Sequence, residues 1–130
     1  MSIDGMAKLL VADDDRDVRE LCIFTLRFAG HEVQGVSNGE EAIHQAKLTL
    51  PDLIIMDVRM PKINGYEACR ILKADLATST IPVIFLSVRV EDSEVQAGLN
   101  AGAVDYLLKP ISPDRLSEKV KTHLQKSNNL

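Results

Sequence analysis

The sequence predicts an α/β protein: an open, parallel, five-stranded sheet with helices on both faces. Three observations carry that expectation. Short apolar runs of strand length alternate along the chain with amphipathic stretches of helical length. The strongest runs are continuously apolar, as in strands buried on both faces of a parallel sheet. Each strand is followed by a helix, giving five successive strand–helix units whose crossovers place helices on both sides.

The first strand is Leu9-Leu10-Val11-Ala12. In the stretch after it, Val18, Leu21, Cys22 and Leu26 share one helical face. Gly30 stands where a left-handed C-terminal cap is needed. Glu32-Val33-Gln34-Gly35-Val36 alternates and reads as an edge strand. Asn38 opens the second helix, whose apolar face is Ala42, Ile43 and Ala46. Pro51 and Pro82 sit where strands begin, a position that tolerates a missing N–H. Those strands are Leu53-Ile54-Ile55-Met56 and Val83-Ile84-Phe85-Leu86, and between them Cys69, Leu72 and Leu76 mark the third helix. The fourth helix, residues 94–101, is the weakest on propensity, with only Val95 and Leu99 at helical spacing and Gly98 inside. The last strand is the short run Tyr106-Leu107-Leu108. Ser112 or Pro113 opens the last helix, which buries Leu116, Val120 and Leu124, and residues 126–130 read as a frayed end.

The chain of 130 residues fits one domain, 1–130, with its core at about 8–125. Its 45% hydrophobic and 26% charged residues are the balance of a globular protein. A compact chain of this length buries roughly two-thirds of its unfolded surface, so it needs neither disulfides nor a structural metal. No apolar run approaches the roughly 20 residues of a membrane helix, so no membrane partner is expected. The first residues lack the pattern of a signal peptide. Cys22 and Cys69 form no metal or redox spacing and read as buried thiols of a reducing, cytoplasmic compartment. A net charge of -4 argues against direct nucleic-acid binding.

Function is expected where the strands end, because ligands of open α/β sheets bind beyond the carboxyl ends of the strands. The first strand ends in Asp13-Asp14-Asp15, the third in Asp57, the fourth in Ser87 and the fifth in Lys109-Pro110. Singly, each is an ordinary way for a strand to stop; jointly, they deliver polar chemistry to one edge. Converging carboxylates raise one another's pKa, and a hard divalent cation relieves the repulsion. Oxygen-only ligands favour Mg²⁺, or Mn²⁺, over zinc. A metal, an ammonium and a hydroxyl around one remaining carboxylate make a phosphoryl-transfer site. His31, His44 and His123 lie at none of these strand ends and read as surface or helix-end residues.

These motifs resemble the receiver domain of two-component response regulators, close to the single-domain chemotaxis type. The resemblance spans residues 8 to about 125. It rests on Leu9-Leu10-Val11-Ala12-Asp13-Asp14-Asp15, on Asp52-Leu53-Ile54-Ile55-Met56-Asp57-Val58-Arg59-Met60-Pro61-Lys62-Ile63-Asn64-Gly65, on Phe85-Leu86-Ser87, and on Ala101-Gly102-Ala103-Val104-Asp105-Tyr106-Leu107-Leu108-Lys109-Pro110. It implies a flavodoxin-like (βα)5 fold with strand order 2-1-3-4-5, for which a member of this family is a standard example. It further implies that Asp57 accepts the phosphoryl group and that Asp13, Asp14 and Asp57 hold Mg²⁺, Asp14 more directly and Asp13 partly through water. The backbone carbonyl of Arg59 becomes a further ligand, Ser87 and Lys109 bind phosphoryl oxygens, and the Lys109–Pro110 bond is cis. Asp15 matches a variable position and reads as a helix cap. Tyr106 resembles a switch ring that turns inward when Ser87 moves toward the phosphoryl group, against the plainer reading of a half-buried ring with its hydroxyl in water.

The implied protein is a signalling phosphoacceptor, not a metabolic enzyme. Its donor is a sensor histidine kinase or a phosphotransfer protein. Its output surface is the fourth helix, fifth strand and fifth helix, read by a downstream partner, an output domain or a second copy in a homodimer. Both a stand-alone regulator and part of a longer protein fit. Departures from the family pattern concern access: Val88 stands where a small residue is usual, and Arg59 and Arg89 occupy positions that tune phosphoryl lifetime. Val104 and Ile111 replace a common acidic residue and a common phenylalanine, away from the chemistry. The alternative is a receiver-like interaction module that works without phosphate. A haloacid-dehalogenase phosphatase is excluded by Asp17 at the fifth place of its motif, and no Walker or dinucleotide loop is present.

Overall fold

A computed structural model describes residues 6–88 and 91–128. Five strand–helix units follow in order: β1 (Lys8–Ala12), α1 (Arg16–Phe28), β2 (Glu32–Val36), α2 (Gly39–Thr49), β3 (Leu53–Asp57), α3 (Gly65–Ala74), β4 (Val83–Ser87), α4 (Asp92–Ala101), β5 (Asp105–Leu108) and α5 (Pro113–Asn128). All pairings are parallel and the sheet order is β2-β1-β3-β4-β5. The order reverses at β1 and β3, which places Asp13 and Asp57 at neighbouring strand ends.

The continuous apolar runs serve two cores at once. Leu10, Ala12, Ile54, Met56, Val83 and Phe85 face the side covered by α2, α3 and α4. Leu9, Val11, Leu53, Ile55, Ile84 and Leu86 face α1 and α5. Successive side chains point to opposite faces, so a strand covered on both sides has no polar position to spare. Each fully buried leucine or isoleucine contributes roughly 1.5–3 kcal/mol relative to exposure.

The helix ends follow their predicted chemistry. Asp15 caps α1 by accepting the N–H groups of Asp17 and Val18, and Gly30 takes a left-handed φ of 102°. Asn38 caps α2, and Pro113 opens α5. The helix of residues 94–101 forms, starting two residues earlier, with no side-chain cap. The Lys109–Pro110 bond is cis. Both cysteines are free and buried.

Several expectations need correction. Leu21 and Leu99 are exposed instead of sharing their helices' buried faces. Leu76 is 94% exposed, because α3 stops at Ala74 and Asp75 turns extended as its cap. The short apolar run of β5 is not buried on both faces: β5 is an edge strand, and Leu108 is exposed. The expected frayed end starts too early, since α5 runs through Asn128; residues 129 and 130 lie outside the described residues. His31 sits at the end of α1, its main-chain N–H donating to the Leu26 carbonyl, but is buried there rather than on the surface, and burial lowers its pKa. His123 is largely buried and meets Asp105 at 2.9 Å.

Candidate functional site

Each strand end contributes one part of a shallow polar cleft. Asp13, directly after β1, is fully buried, and Asp14 beside it is exposed. Asp57 ends β3 and Ser87 ends β4, both buried. Lys109 follows β5, and its main-chain N–H donates to the Ser87 carbonyl at 2.8 Å, tying the last two strand ends together. The Lys109 ammonium, 15% exposed, lies 3.0 Å from Asp13 Oδ2 and 3.1 Å from Asp57 Oδ1. One cation therefore bridges the acids of two neighbouring strands.

The charges do not balance. Asp13, Asp14 and Asp57 each bring a carboxylate oxygen within 4.8 Å of the others, against one ammonium. Burial, then repulsion from Asp13 and Asp14, pushes the Asp57 carboxyl up to about 6, with Lys109 opposing. Burial lowers the Lys109 pKa, but its close charge contacts with Asp13 and Asp57 outweigh that and raise it. Asp13 Oδ2 has charge contact with Lys109 but no well-directed hydrogen bond. A buried, under-satisfied carboxylate oxygen in an all-oxygen cluster suits a hard divalent cation. Cys22, packed nearby, is inert: burial, then Asp13, pushes its thiol up to about 12.

Two of the three predicted tuning residues lie among the described residues. Arg59 is 73% exposed and its guanidinium lies 3.9 Å from Glu94 Oε1 on α4. Val88 is 62% exposed beside Ser87. Arg89 lies outside the described residues.

Tyr106 departs from the plainer reading of its hydroxyl. The ring packs on Phe85 with centroids 5.7 Å apart, and its hydroxyl donates to the Glu94 carbonyl at 2.5 Å rather than to water. The Tyr66 hydroxyl meets it at 2.8 Å and donates to Glu94 Oε2 at 2.7 Å. Two hydroxyl protons thus serve three short contacts, so they are shared. Burial raises both phenol pKa values; at Tyr66 the bonds to Tyr106 and Glu94 add to it, whereas at Tyr106 the bond with Tyr66 opposes it and the Glu94 charge adds. Gly98 makes room, since a Cβ there would collide with the Tyr106 ring. Sequence reasoning missed Tyr66 and Glu94. Their only advance signal was the presence of a second tyrosine, at the start of α3.

Two further grooves include none of the site's acids, Ser87 or Lys109, one lined by Gly35, Val36, Glu40, Glu41, His44 and Gln45, the other by Glu20, Ile23, Phe24, Arg27 and Phe28. Neither gathers the strand-end chemistry. No helix among the described residues is long and apolar enough to cross a membrane.

Comparison with known proteins agrees with this architecture. The family model of the response regulator receiver domain matches residues 9–121. The DNA-binding response regulator MtrA of Mycolicibacterium paratuberculosis is 32% identical over 121 residues, covering 93% of this chain and 52% of that protein. The chain thus spans about half the length of the curated relatives it matches. A response regulator structure from Chloroflexus aurantiacus is 41% identical with TM-score 0.88, covering 92% of this chain and 98% of the other. The receiver domain of a Pseudomonas aeruginosa sensor histidine kinase, solved with magnesium coordinated in its active-site cleft, is 28% identical with TM-score 0.85 over 92% and 98%.

Proposed function

The chain belongs to the receiver-domain family of response regulators, and from that premise we propose that its acid cleft accepts a phosphoryl group on Asp57. It is a receiver domain of two-component signalling. A carboxylate oxygen of Asp57 attacks the phosphorus of a phosphohistidine on a histidine kinase or phosphotransfer protein. The O–P bond forms as the N–P bond breaks, and the departing imidazole takes a proton from water. Lys109 pairs with one phosphoryl oxygen and the Ser87 hydroxyl donates to another. Asp13 and Asp14, with the Arg59 carbonyl, hold Mg²⁺, or Mn²⁺ in its place. When bound, the cation supplies positive charge that neutralises the phosphoryl oxygens. Loss of the group reverses the balance: water attacks phosphorus, the O–P bond breaks, and inorganic phosphate leaves the Asp57 carboxylate behind. The domain catalyses these two steps on itself and no others.

Ser87 and Tyr106 carry the result to α4, β5 and α5, where a downstream partner, an output domain or a second copy reads it. The setting is cytoplasmic, and residues 1–130 act as one receiver domain. Arg59, Val88 and Arg89 govern the approach of water and so the lifetime of the phosphoryl group.

The observation that carries this reading is the one mostly buried ammonium, that of Lys109, bridging Asp13 and Asp57. The test is incubation with a small phosphodonor and Mg²⁺. Acid-labile, hydroxylamine-sensitive phosphate is expected on the wild type and absent from Asp57→Asn. Undiminished labelling of that variant would move the nucleophile elsewhere. The phosphate-independent module draws support from the inward Tyr106 ring. Binding of beryllofluoride with Mg²⁺, followed by a spectral change at β5, separates the two readings.

A further inference from the structure

Asp13 is anchored at every polar atom but one. Its N–H donates to the Val36 carbonyl at 3.1 Å, and its Oδ1 accepts the Asp15 N–H at 2.9 Å. Its carbonyl accepts from Arg19 Nη1 at 2.8 Å. Only Oδ2 is left without a well-directed bond, and that oxygen faces Lys109. Two of the three anchors are main-chain groups that any sequence supplies. The third depends on one side chain, Arg19 of α1.

We propose that Arg19 is a positioning residue for the acid pair. The carbonyl it holds belongs to the peptide unit that also carries the Asp14 nitrogen. Fixing that plane fixes the exit direction of Asp13 and the start of Asp14 together, which are the two side chains assigned to Mg²⁺. Arginine suits the task because its guanidinium stays charged and its fork is rigid, so a bond to a carbonyl is charge-assisted and costs little ordering. Groups that orient metal ligands are commonly worth tenfold or more in affinity.

The neighbouring strand is shaped to admit this side chain. A Cβ at Gly35 of β2 would lie 3.2 Å from Arg19 Cδ, 3.3 Å from its Cγ and 2.6 Å from Ile23 Cδ1. Glycine weakens a strand interior and often marks a close approach. Here the closest approach is Ile23 Cδ1, with the Arg19 stem packed beside it on its way to the Asp13 carbonyl. Arg19 and Gly35 thus form one device: a side chain that holds the strand end and a gap that lets it pass.

The inference rests on the metal role proposed for Asp13 and Asp14, and its test separates the two. Mg²⁺ affinity is measured by calorimetry for the wild type, Arg19→Met, Arg19→Lys, Gly35→Ala and the double variant Gly35→Ala/Arg19→Met. The order parameter of the Asp14 amide is measured by NMR without metal. Arg19→Met is expected to weaken Mg²⁺ binding about tenfold and to lower the Asp14 order parameter. Arg19→Lys, which keeps one donor, is expected to recover part of both. Gly35→Ala is expected to weaken binding although Arg19 is present. The double variant is expected to be no worse than Arg19→Met alone, because both changes remove one contact. Arg19→Met binding within twofold of wild type, with an unchanged Asp14 amide, would overturn the proposal, as would fully additive losses in the double variant. Should Arg19→Met not fold, Arg19→Lys and Gly35→Ala carry the same comparison. Should the wild type bind no Mg²⁺, the metal role fails, and the Asp14 amide still decides whether Arg19 positions the strand end.

Discussion

The acid cleft and the tyrosine cluster hold their polar groups by opposite means. The cleft gathers three carboxylates around one ammonium and leaves Asp13 Oδ2 without a well-directed bond. The cluster of Tyr66, Tyr106 and Glu94 consists of hydroxyls and their acceptors, and each hydroxyl is engaged at least twice. A site with surplus negative charge gains from a cation or a ligand that brings one. A hydroxyl network whose protons are shared among its members keeps one arrangement until an element beneath it moves. The two regions meet at Glu94, whose Oε2 accepts from Tyr66 while its Oε1 faces Arg59 in the loop after Asp57. The cleft is therefore the part that responds, and the cluster the part that already holds the Tyr106 ring inward.

The largest test of this contrast removes the cleft's cation. Lys109→Ala leaves the buried Asp13 and Asp57 beside the exposed Asp14 unopposed, and should lower stability without divalent ions by about 2 kcal/mol, discounted for partial exposure. Mg²⁺ should restore more stability to this variant than to the wild type. Urea unfolding with and without Mg²⁺ measures both, and equal Mg²⁺ effects would mean the acids do not share one field. Tyr66→Phe keeps the ring and removes its shared hydroxyl proton, so about 1 kcal/mol of stability should go. The beryllofluoride-induced NMR change at residues 105–108 should then grow, because Tyr106 is held less firmly. By the same logic Ser87→Ala should leave the unactivated Tyr106 ring inward. An outward ring in that variant would show that Ser87, not the cluster, holds it.

A smaller effect concerns the cleft's rim. Val88→Ala should speed loss of the Asp57 phosphoryl group a few-fold, with Arg59→Ala weaker in the same direction. Decay after donor removal measures it, and unchanged decay in Val88→Ala would show that access at this position does not set the lifetime. The smallest effect lies beside the cluster, at Asp105. Burial pushes its carboxyl up, but hydrogen bonds from His123 and Lys119 and from the Tyr106 N–H outweigh this and hold it below its usual value. A depressed carboxyl stabilises the fold above its unfolded pKa of about 4, and that contribution fades as pH falls through the lower folded value. Asp105→Asn should therefore flatten the stability profile in that acid range by about 0.5 kcal/mol, read from melting temperatures at stepped pH.

The parts of the site that were legible in the sequence are those fixed by strand periodicity. A run such as Leu53-Ile54-Ile55-Met56 must end somewhere, and Asp57 is the first residue able to face solvent chemistry at that edge. The same logic located Asp13, Ser87 and Lys109. Periodicity says nothing about contacts between distant elements, so the meeting of Tyr66 with Glu94 and Tyr106, 28 and 40 residues away, had no local signature. Arg19 escaped notice for a related reason: its partner is a main-chain carbonyl, which every residue possesses. The errors at Leu21, Leu76 and Leu99 come from treating helical spacing as burial. Which apolar residues are covered depends on how far the neighbouring elements reach and on where Asp75 ends α3.

The chain contains two tyrosines and no tryptophan. Both phenols sit in the cluster on Phe85 and share hydrogen bonds with Glu94. Its intrinsic near-ultraviolet emission therefore originates almost wholly from one small network beside α4. Any event that parts the two hydroxyls alters the signal of the unlabelled protein, so the domain carries an optical gauge of its own conformational state.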